Sequence, residues 1–168
     1  MSVKGRCVSV RTMRKRVSTI ELGPWTFPER PRVLIEHPEP DAALEIAAAI
    51  RRVGCTVGIC HGPDSAGDPA TRCPVHRLEP CAAVAGADAV VTMLDLDTED
   101  GREIVRGLRT RYPGKPLIIA ATVAETLELG DLIQGCTVVP IDTEPERVAA
   151  AVLDALPSRS KLPTTPRR

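Results

Sequence analysis

The chain has 168 residues, enough for one domain with terminal extensions but cramped for two. Its 22 basic and 22 acidic residues balance, so no overall field draws it to nucleic acid or to an anionic membrane. With one Trp, one Tyr and one Phe it lacks the rings on which bases stack, and its core must consist of Val, Ile, Leu and Ala. We therefore expect neither nucleic acid nor membrane as a partner.

Both ends of the chain are predicted to lie outside the domain. Residues 1–31 show no sustained hydrophobic period and end in a proline-rich stretch, and residues 157–168 are polar and basic. We predict a flexible leader over 1–31, a domain over 32–156 and a disordered tail over 157–168. A secretory signal and a membrane span are not recognisable, which predicts a cytoplasmic protein with reduced cysteines.

The domain begins with a strand, a loop and a helix. The continuous apolar run 33–35 predicts a strand that is covered on both faces. Asp41 is predicted to cap the following helix, and Gly54 to close it in a left-handed turn. The predicted buried face of this helix comprises Ala43, Leu44, Ala47, Ile50 and Val53. Ligands of open parallel sheets bind at the carboxyl ends of strands, so loop 36–41 is the first place to look for function.

Four more strands and their crossovers follow. The predicted strands cover residues 55–60, 89–94, 117–121 and 137–140. The predicted helices cover residues 80–85, a segment ending near 111 with Ile104, Val105 and Leu108 buried, residues 123–133, and a last helix after Thr143. A capping box of Thr143 and Glu146 is predicted to start this last helix, and loop 61–76 replaces a crossover helix. The pattern predicts an α/β fold with a single five-stranded parallel sheet, order 2-1-3-4-5, flavodoxin-like with helices on both faces.

These segments resemble the receiver domain of bacterial response regulators over roughly residues 32–156. The landmarks are Glu39-Pro40-Asp41 after the first strand, Asp100-Gly101 at the third helix, Tyr112-Pro113, Lys115-Pro116, and Pro140 before the last helix. The resemblance implies a CheY-like fold. In that family an aspartate at the end of the third strand is phosphorylated with the help of magnesium, which takes carboxylate ligands.

The resemblance also implies that the phosphorylation site has degenerated. The family's metal-binding acidic pair falls on His37 and Pro38. Its phosphoacceptor falls on Met93 or, if the loop is shorter, on Asp95. The hydroxyl position falls on Ala121, and the lysine position falls on Val139. A pseudo-receiver is implied, which is a non-enzymatic signalling or regulatory module that contacts a protein partner through its sheet edge or last helix. A homodimer is one form of such a contact.

The alternative is a small flavodoxin-like ligand-binding domain or enzyme that uses the acidic loops at the carboxyl edge of the sheet. The carboxylates available there are Glu36, Glu39, Asp41, Asp95, Asp97, Glu99 and Asp100. They suggest a divalent cation site with Glu36 or Glu39 and Asp95 as ligands, and His37 beside Asp95 suggests acid–base chemistry. A Gly-rich phosphate loop and a Gly-x-Ser-x-Gly motif are both missing, which disfavours nucleotides, flavins and serine hydrolysis.

Potential metal ligands crowd into the long loop and its borders: Cys60, Cys73, His76 and Cys81. Thiolates with an imidazole suit tetrahedral zinc, and a metal would order a loop that has no helix. The three cysteines suit an iron–sulfur cluster as an alternative. A Cys73–Cys81 disulfide and unligated thiols are the remaining alternatives. The cofactor is therefore left open among zinc, an iron–sulfur cluster and none.

Overall fold

A computed structural model describes residues 29–62 and 73–157. Most of the predicted leader (1–28), residues 63–72 of the long loop and the tail from 158 lie outside these ranges, so those predictions stay untested. The strands are β1 Arg32–Glu36, β2 Thr56–Cys60, β3 Ala89–Thr92, β4 Leu117–Ala120 and β5 Thr137–Val139. They form one parallel sheet in the order β2-β1-β3-β4-β5, which confirms the predicted topology.

Helices cover both faces of this sheet, as predicted. They are α1 Pro40–Arg52, α2 Ala82–Gly86, α3 Glu99–Arg111, α4 Val123–Glu128, α5 Gly130–Ile133 and α6 Pro145–Ala155. A 3-10 turn, Val75–Arg77, precedes α2 within the long crossover. None of the helices in the described ranges combines the length and the apolar character needed to cross a membrane.

The core has two layers because successive side chains of a strand point to opposite faces of the sheet. Val33 and Ile35 are fully buried against the layer that contains α1 and α6. Leu34 is buried on the other side, in the layer that contains α2, α3 and α5. The continuous apolar run in β1 is therefore the expected consequence of a strand that is covered on both faces.

The predicted buried face of α1 is partly wrong. Ile46 and Ala49 are buried, whereas Leu44 and Val53 are 52% and 39% exposed. The helix begins at Pro40 and ends before Val53, so its sheet-facing stripe is shifted relative to the prediction. The N-cap residue is Glu39 rather than Asp41, which lies in the first turn where its charge favours the helix dipole.

The predicted capping box at the start of α6 is also wrong. Because Pro145 occupies the first turn, the N-cap position falls on Glu144, and no side chain from the described ranges caps this end. The Glu146 carboxylate instead accepts a hydrogen bond from Arg52 at 2.9 Å. A capping box does start α4, where the Thr122 hydroxyl and the Glu125 carboxylate each accept the other residue's backbone N–H.

Candidate functional site

β1 ends in a buried carboxyl group at the carboxyl edge of the sheet. Glu36 lies on the same face of β1 as Leu34, pairs in register with Thr92 of β3, and is 2% exposed. None of the described residues forms a hydrogen bond with its Oε2 atom. Burial raises the pKa of Glu36 from its ordinary value of 4.5 to about 7, and the neighbouring Thr92 side chain opposes part of that rise. A large fraction of this carboxyl is therefore protonated near neutral pH.

His37 and Pro38, the positions implied for the metal-binding pair, follow directly. The backbone N–H of His37 donates to the Cys60 carbonyl at 2.9 Å, and its Nδ1 accepts from the Glu39 N–H at 2.9 Å. Partial burial lowers the pKa of His37, while Glu39 opposes this. The imidazole thus shapes the turn into α1, and Pro38 is exposed without a ligand atom.

Met93 and Asp95, the two alternative phosphoacceptor positions, have different environments. The Met93 N–H donates to the Glu36 carbonyl at 2.8 Å, and its side chain packs on the layer that contains α1 and α6. Asp95 is exposed, and its carboxylate accepts the Asp97 N–H at 2.9 Å. Its carbonyl accepts the Thr98 hydroxyl at 2.7 Å. Asp95 therefore stabilises the loop that leads into α3.

Ala121 and Val139, the positions implied for the hydroxyl and the lysine, are both buried. The Ala121 N–H donates to the Val139 carbonyl at 3.0 Å, which continues the β4–β5 ladder. The adjacent hydroxyl of Thr122 is occupied by the α4 capping box. Within the described ranges the only lysine is Lys115, which donates to the Ala87 carbonyl at the opposite, amino edge of the sheet.

Three carboxylates do meet at the carboxyl edge: Asp95, Asp97 and Glu125 have oxygen atoms within 4.8 Å of one another. Two of these three carboxylates already accept hydrogen bonds from the local backbone. Asp95 accepts the Asp97 N–H, and Glu125 accepts the Thr122 N–H at 2.6 Å. Glu36 belongs to no such group among the described residues. In the described ranges, the predicted pairing of Glu36 or Glu39 with Asp95 is not part of a three-ligand group, and it stays a prediction.

The predicted sulfur ligands line the layer that contains α2 and α3. Cys81 is buried, and Cys60 and Cys73 are half-buried against the same cluster. Burial raises the pKa of Cys60 to about 12 and also raises that of Cys73, with the nearby Glu36 carboxyl adding to both. The Cys60 and Cys73 thiols are therefore protonated at neutral pH, and any ion that binds them must displace their protons.

His76, the fourth predicted ligand, faces carboxylates rather than sulfur. Its Nε2 atom lies 2.7 Å from Glu103 Oε2 and 3.2 Å from Asp100 Oδ1. In the described part of the chain, no three of the four predicted ligands have donor atoms within 4.8 Å of one another. The Cys60, Cys73, His76 and Cys81 site stays a prediction. The contact of His76 with Asp100 and Glu103 was not predicted from the sequence.

No family model and no curated protein matches the sequence, but solved structures match its fold. The chemotaxis response regulator CheY4 of Vibrio cholerae matches with a TM-score of 0.54 at 15% identity, over 76% of this chain and 99% of that chain. A response regulator receiver domain protein from Clostridium thermocellum matches with a TM-score of 0.55 at 16% identity, over 74% of this chain and 93% of that chain. The chain has a receiver-like fold. A sensor protein from Polaromonas sp. JS666 matches this receiver-like fold with a TM-score of 0.54 at 20% identity, over 75% of this chain and 95% of that chain. The predicted resemblance is confirmed as a likeness of fold.

Proposed function

We propose that this chain is a receiver-like signalling module that binds a protein partner and is not switched by phosphorylation. The observation that carries the proposal is an apolar surface around the edge strand β5, which we call the β5-edge surface. It comprises Val123, Leu127, Val138 and Ile141, which are 80%, 81%, 37% and 58% exposed. Residues 121–123, 126–127 and 138–142 form an open groove there.

The β5-edge surface has the character of a docking site. Val123 and Leu127 are one helical turn apart on α4 and therefore lie on the same side of that helix. Among the described residues β5 pairs only with β4, so no strand in those ranges covers its second edge. Exposed apolar side chains that cluster beside an open strand edge are typical of protein-binding surfaces. These features support binding of a protein.

The absence of a phosphorylation switch is supported by the groups at the carboxyl edge of the sheet. Met93 and Ala121 carry neither a carboxylate nor a hydroxyl, and Val139 packs its apolar side chain into the core. Glu36 is the acidic residue that ends β1, and burial raises its pKa to about 7. A protonated, enclosed carboxyl is a poor ligand for magnesium, because a carboxyl group must lose its proton to bind the ion well.

We expect no phosphoryl transfer from acetyl phosphate in the presence of magnesium. Intact-mass spectrometry should find the chain unmodified, because the exposed Asp95 has neither a lysine nor a free hydroxyl beside it among the described residues. A phosphorylatable receiver domain treated in parallel shows that the reagent is active. The proposal fails if the chain gains the mass of one phosphoryl group and Asp95→Ala prevents that gain.

We expect partner binding to depend on the β5-edge surface. Leu127→Lys places a charge in the centre of the surface and should weaken binding at least tenfold, or roughly 1.4 kcal/mol. Leu44→Lys is the matched control, because Leu44 is an exposed leucine on α1, which packs on β1 and α6. Proteins captured from the source cells by the wild-type chain would be purified. Each would then be titrated against the wild type, Leu127→Lys and Leu44→Lys.

The same three forms test a second copy of the chain as the partner, with sedimentation equilibrium as the measurement. Self-association that Leu127→Lys abolishes and Leu44→Lys leaves intact would assign the β5-edge surface to a homodimer. Equal affinity of wild type and Leu127→Lys for every purified partner, with unchanged self-association, would refute the proposed surface. Circular dichroism of each variant ensures that unfolding is not the cause of lost binding.

A further inference from the structure

We propose that His76, Asp100 and Glu103 bind a divalent transition-metal ion of the zinc class, which fastens the 3-10 turn Val75–Arg77 to α3. His76 lies on this turn, Asp100 and Glu103 lie on α3, and the donor atoms of the three side chains are within 4.8 Å of one another. This proposal is independent of the β5-edge surface and of the proposed signalling function. It also differs from the predicted cysteine site, with which it shares only His76.

The distances within this cluster suit a small metal ion. Tetrahedral zinc with bonds of about 2.0–2.2 Å to nitrogen and oxygen places its ligand atoms roughly 3.3–3.6 Å apart. His76 Nε2 lies 3.2 Å from Asp100 Oδ1 and 2.7 Å from Glu103 Oε2. An ion that replaces the Nε2 hydrogen would therefore require outward shifts of less than about 1 Å. Rotamer adjustment of the two carboxylate side chains is sufficient for such a shift.

A metal ion can contact all three donor groups of the cluster, whereas the hydrogen on His76 Nε2 cannot. Nε2 carries at most one hydrogen, which cannot point at two carboxylates with good geometry at the same time. A divalent ion instead takes the Nε2 lone pair and one oxygen of each carboxylate as ligands at the same time. The His76 side chain is 18% exposed, and the two carboxylates are 40% and 38% exposed. The site is thus shielded on one side but open to an ion from solvent.

Packing of the backbone holds the three ligands in place before any ion binds. Asp100 and Glu103 are three residues apart on α3, so they share one face of the helix. On the turn, Val75 is 1% exposed beside His76 and is anchored in the core. A Cβ atom at Gly107 of α3 would lie 2.5 Å from the Val75 carbonyl oxygen, which shows how closely the turn and the helix approach. Ligands on such fixed elements lose little entropy when they bind a metal.

The donor set also selects the kind of ion. One imidazole nitrogen with two carboxylates suits zinc, cobalt or manganese, whereas magnesium and calcium prefer oxygen ligands alone. Three protein ligands leave a fourth position for water. We therefore infer a Zn²⁺ site in which the ion ties the crossover between β2 and α2 to the start of α3.

The test is titration of the reduced, full-length chain with Zn²⁺ by calorimetry and with Co²⁺ by absorption spectroscopy. We expect about one equivalent of each ion and a cobalt spectrum without thiolate charge-transfer intensity. Glu103→Gln should weaken Zn²⁺ binding at least tenfold, and His76→Gln likewise. Glu128→Gln, which removes an exposed carboxylate from α4, is the matched control and should bind like wild type.

Three results would overturn this proposal. The first is no saturable binding of Zn²⁺ or Co²⁺, and the second is an affinity that Glu103→Gln leaves unchanged. The third is strong thiolate charge-transfer intensity, which would place the ion at the cysteines instead. Glu103→Gln is the decisive variant, because this partly exposed side chain can lose its charge without emptying a core position. Thermal unfolding of each variant without metal shows whether His76→Gln acts through folding.

Discussion

Glu36→Gln should raise the free energy of unfolding by about 3 kcal/mol at alkaline pH and change it little in acid. The reason is the pKa of the Glu36 carboxyl, which burial raises from 4.5 to about 7. Below the lower value the group is protonated in both the folded and the unfolded chain. As the pH rises towards about 7, the unfolded chain releases the proton more readily, so the wild type loses stability. Glutamine mimics the protonated form and avoids that loss.

The measurement is urea unfolding of the wild type, Glu36→Gln and Glu45→Gln at pH values from below 4.5 to above about 7. Glu45→Gln is the matched control, because it removes an exposed carboxylate from α1. The difference between Glu36→Gln and wild type should open between pH 4.5 and about 7 and then level off. A constant difference, or one that favours the wild type at alkaline pH, would show that Glu36 ionises in the folded protein at least as easily as in the unfolded chain.

The result bears on the proposed function, because Glu36 is the carboxyl group with which β1 ends. A stabilising Glu36→Gln at neutral pH would mean that the native fold prefers this group uncharged. A preference of this kind opposes magnesium binding at the same place, since the hard cation requires the carboxylate. The pH series therefore tests, without any phosphoryl donor, one of the features that the proposal uses.

The sheet was predictable because its signals are local and strong. The apolar run in β1 needs cover on both faces, which only a parallel sheet with helices on each side provides. Alternation of strands and helices then leaves few topologies, since right-handed crossovers are nearly obligatory. The ends of the strands were less predictable. β3 ends at Thr92, two residues before the end of its apolar stretch, because Met93 and Leu94 already belong to the loop.

The helix ends and the site depended on contacts that a single sequence does not display. Pro145 moved the start of α6 by one residue, which removed Thr143 from the cap position. Asp100 and Glu103 are visibly on one helix face, but their partner His76 follows an irregular loop whose path is set by tertiary packing. The burial of Glu36 did have a signal in the sequence. It shares the side-chain direction of Leu34, two residues earlier in a strand that is covered on both faces.

Gly107→Ala should lower the free energy of unfolding by about 3 kcal/mol, at the upper end of the usual cost of overpacking. The new Cβ would lie 2.5 Å from the Val75 carbonyl oxygen and 2.9 Å from one of its methyl groups. Neither atom is the far end of a flexible side chain, so relief requires α3 and the 3-10 turn to separate. Val75 is 1% exposed in the core, and that separation would open packed apolar surface.

Gly130→Ala is the matched control, since it makes the same chemical change in a helix where a Cβ would meet no atom within 4 Å. Alanine should stabilise the protein there by up to about 1 kcal/mol, because it restricts the unfolded chain and favours helix. Urea unfolding of the two variants should therefore shift in opposite directions. Equal shifts would mean that α3 and the turn do not touch at Gly107. The rigid placement of His76 against Asp100 and Glu103 would then lose its support.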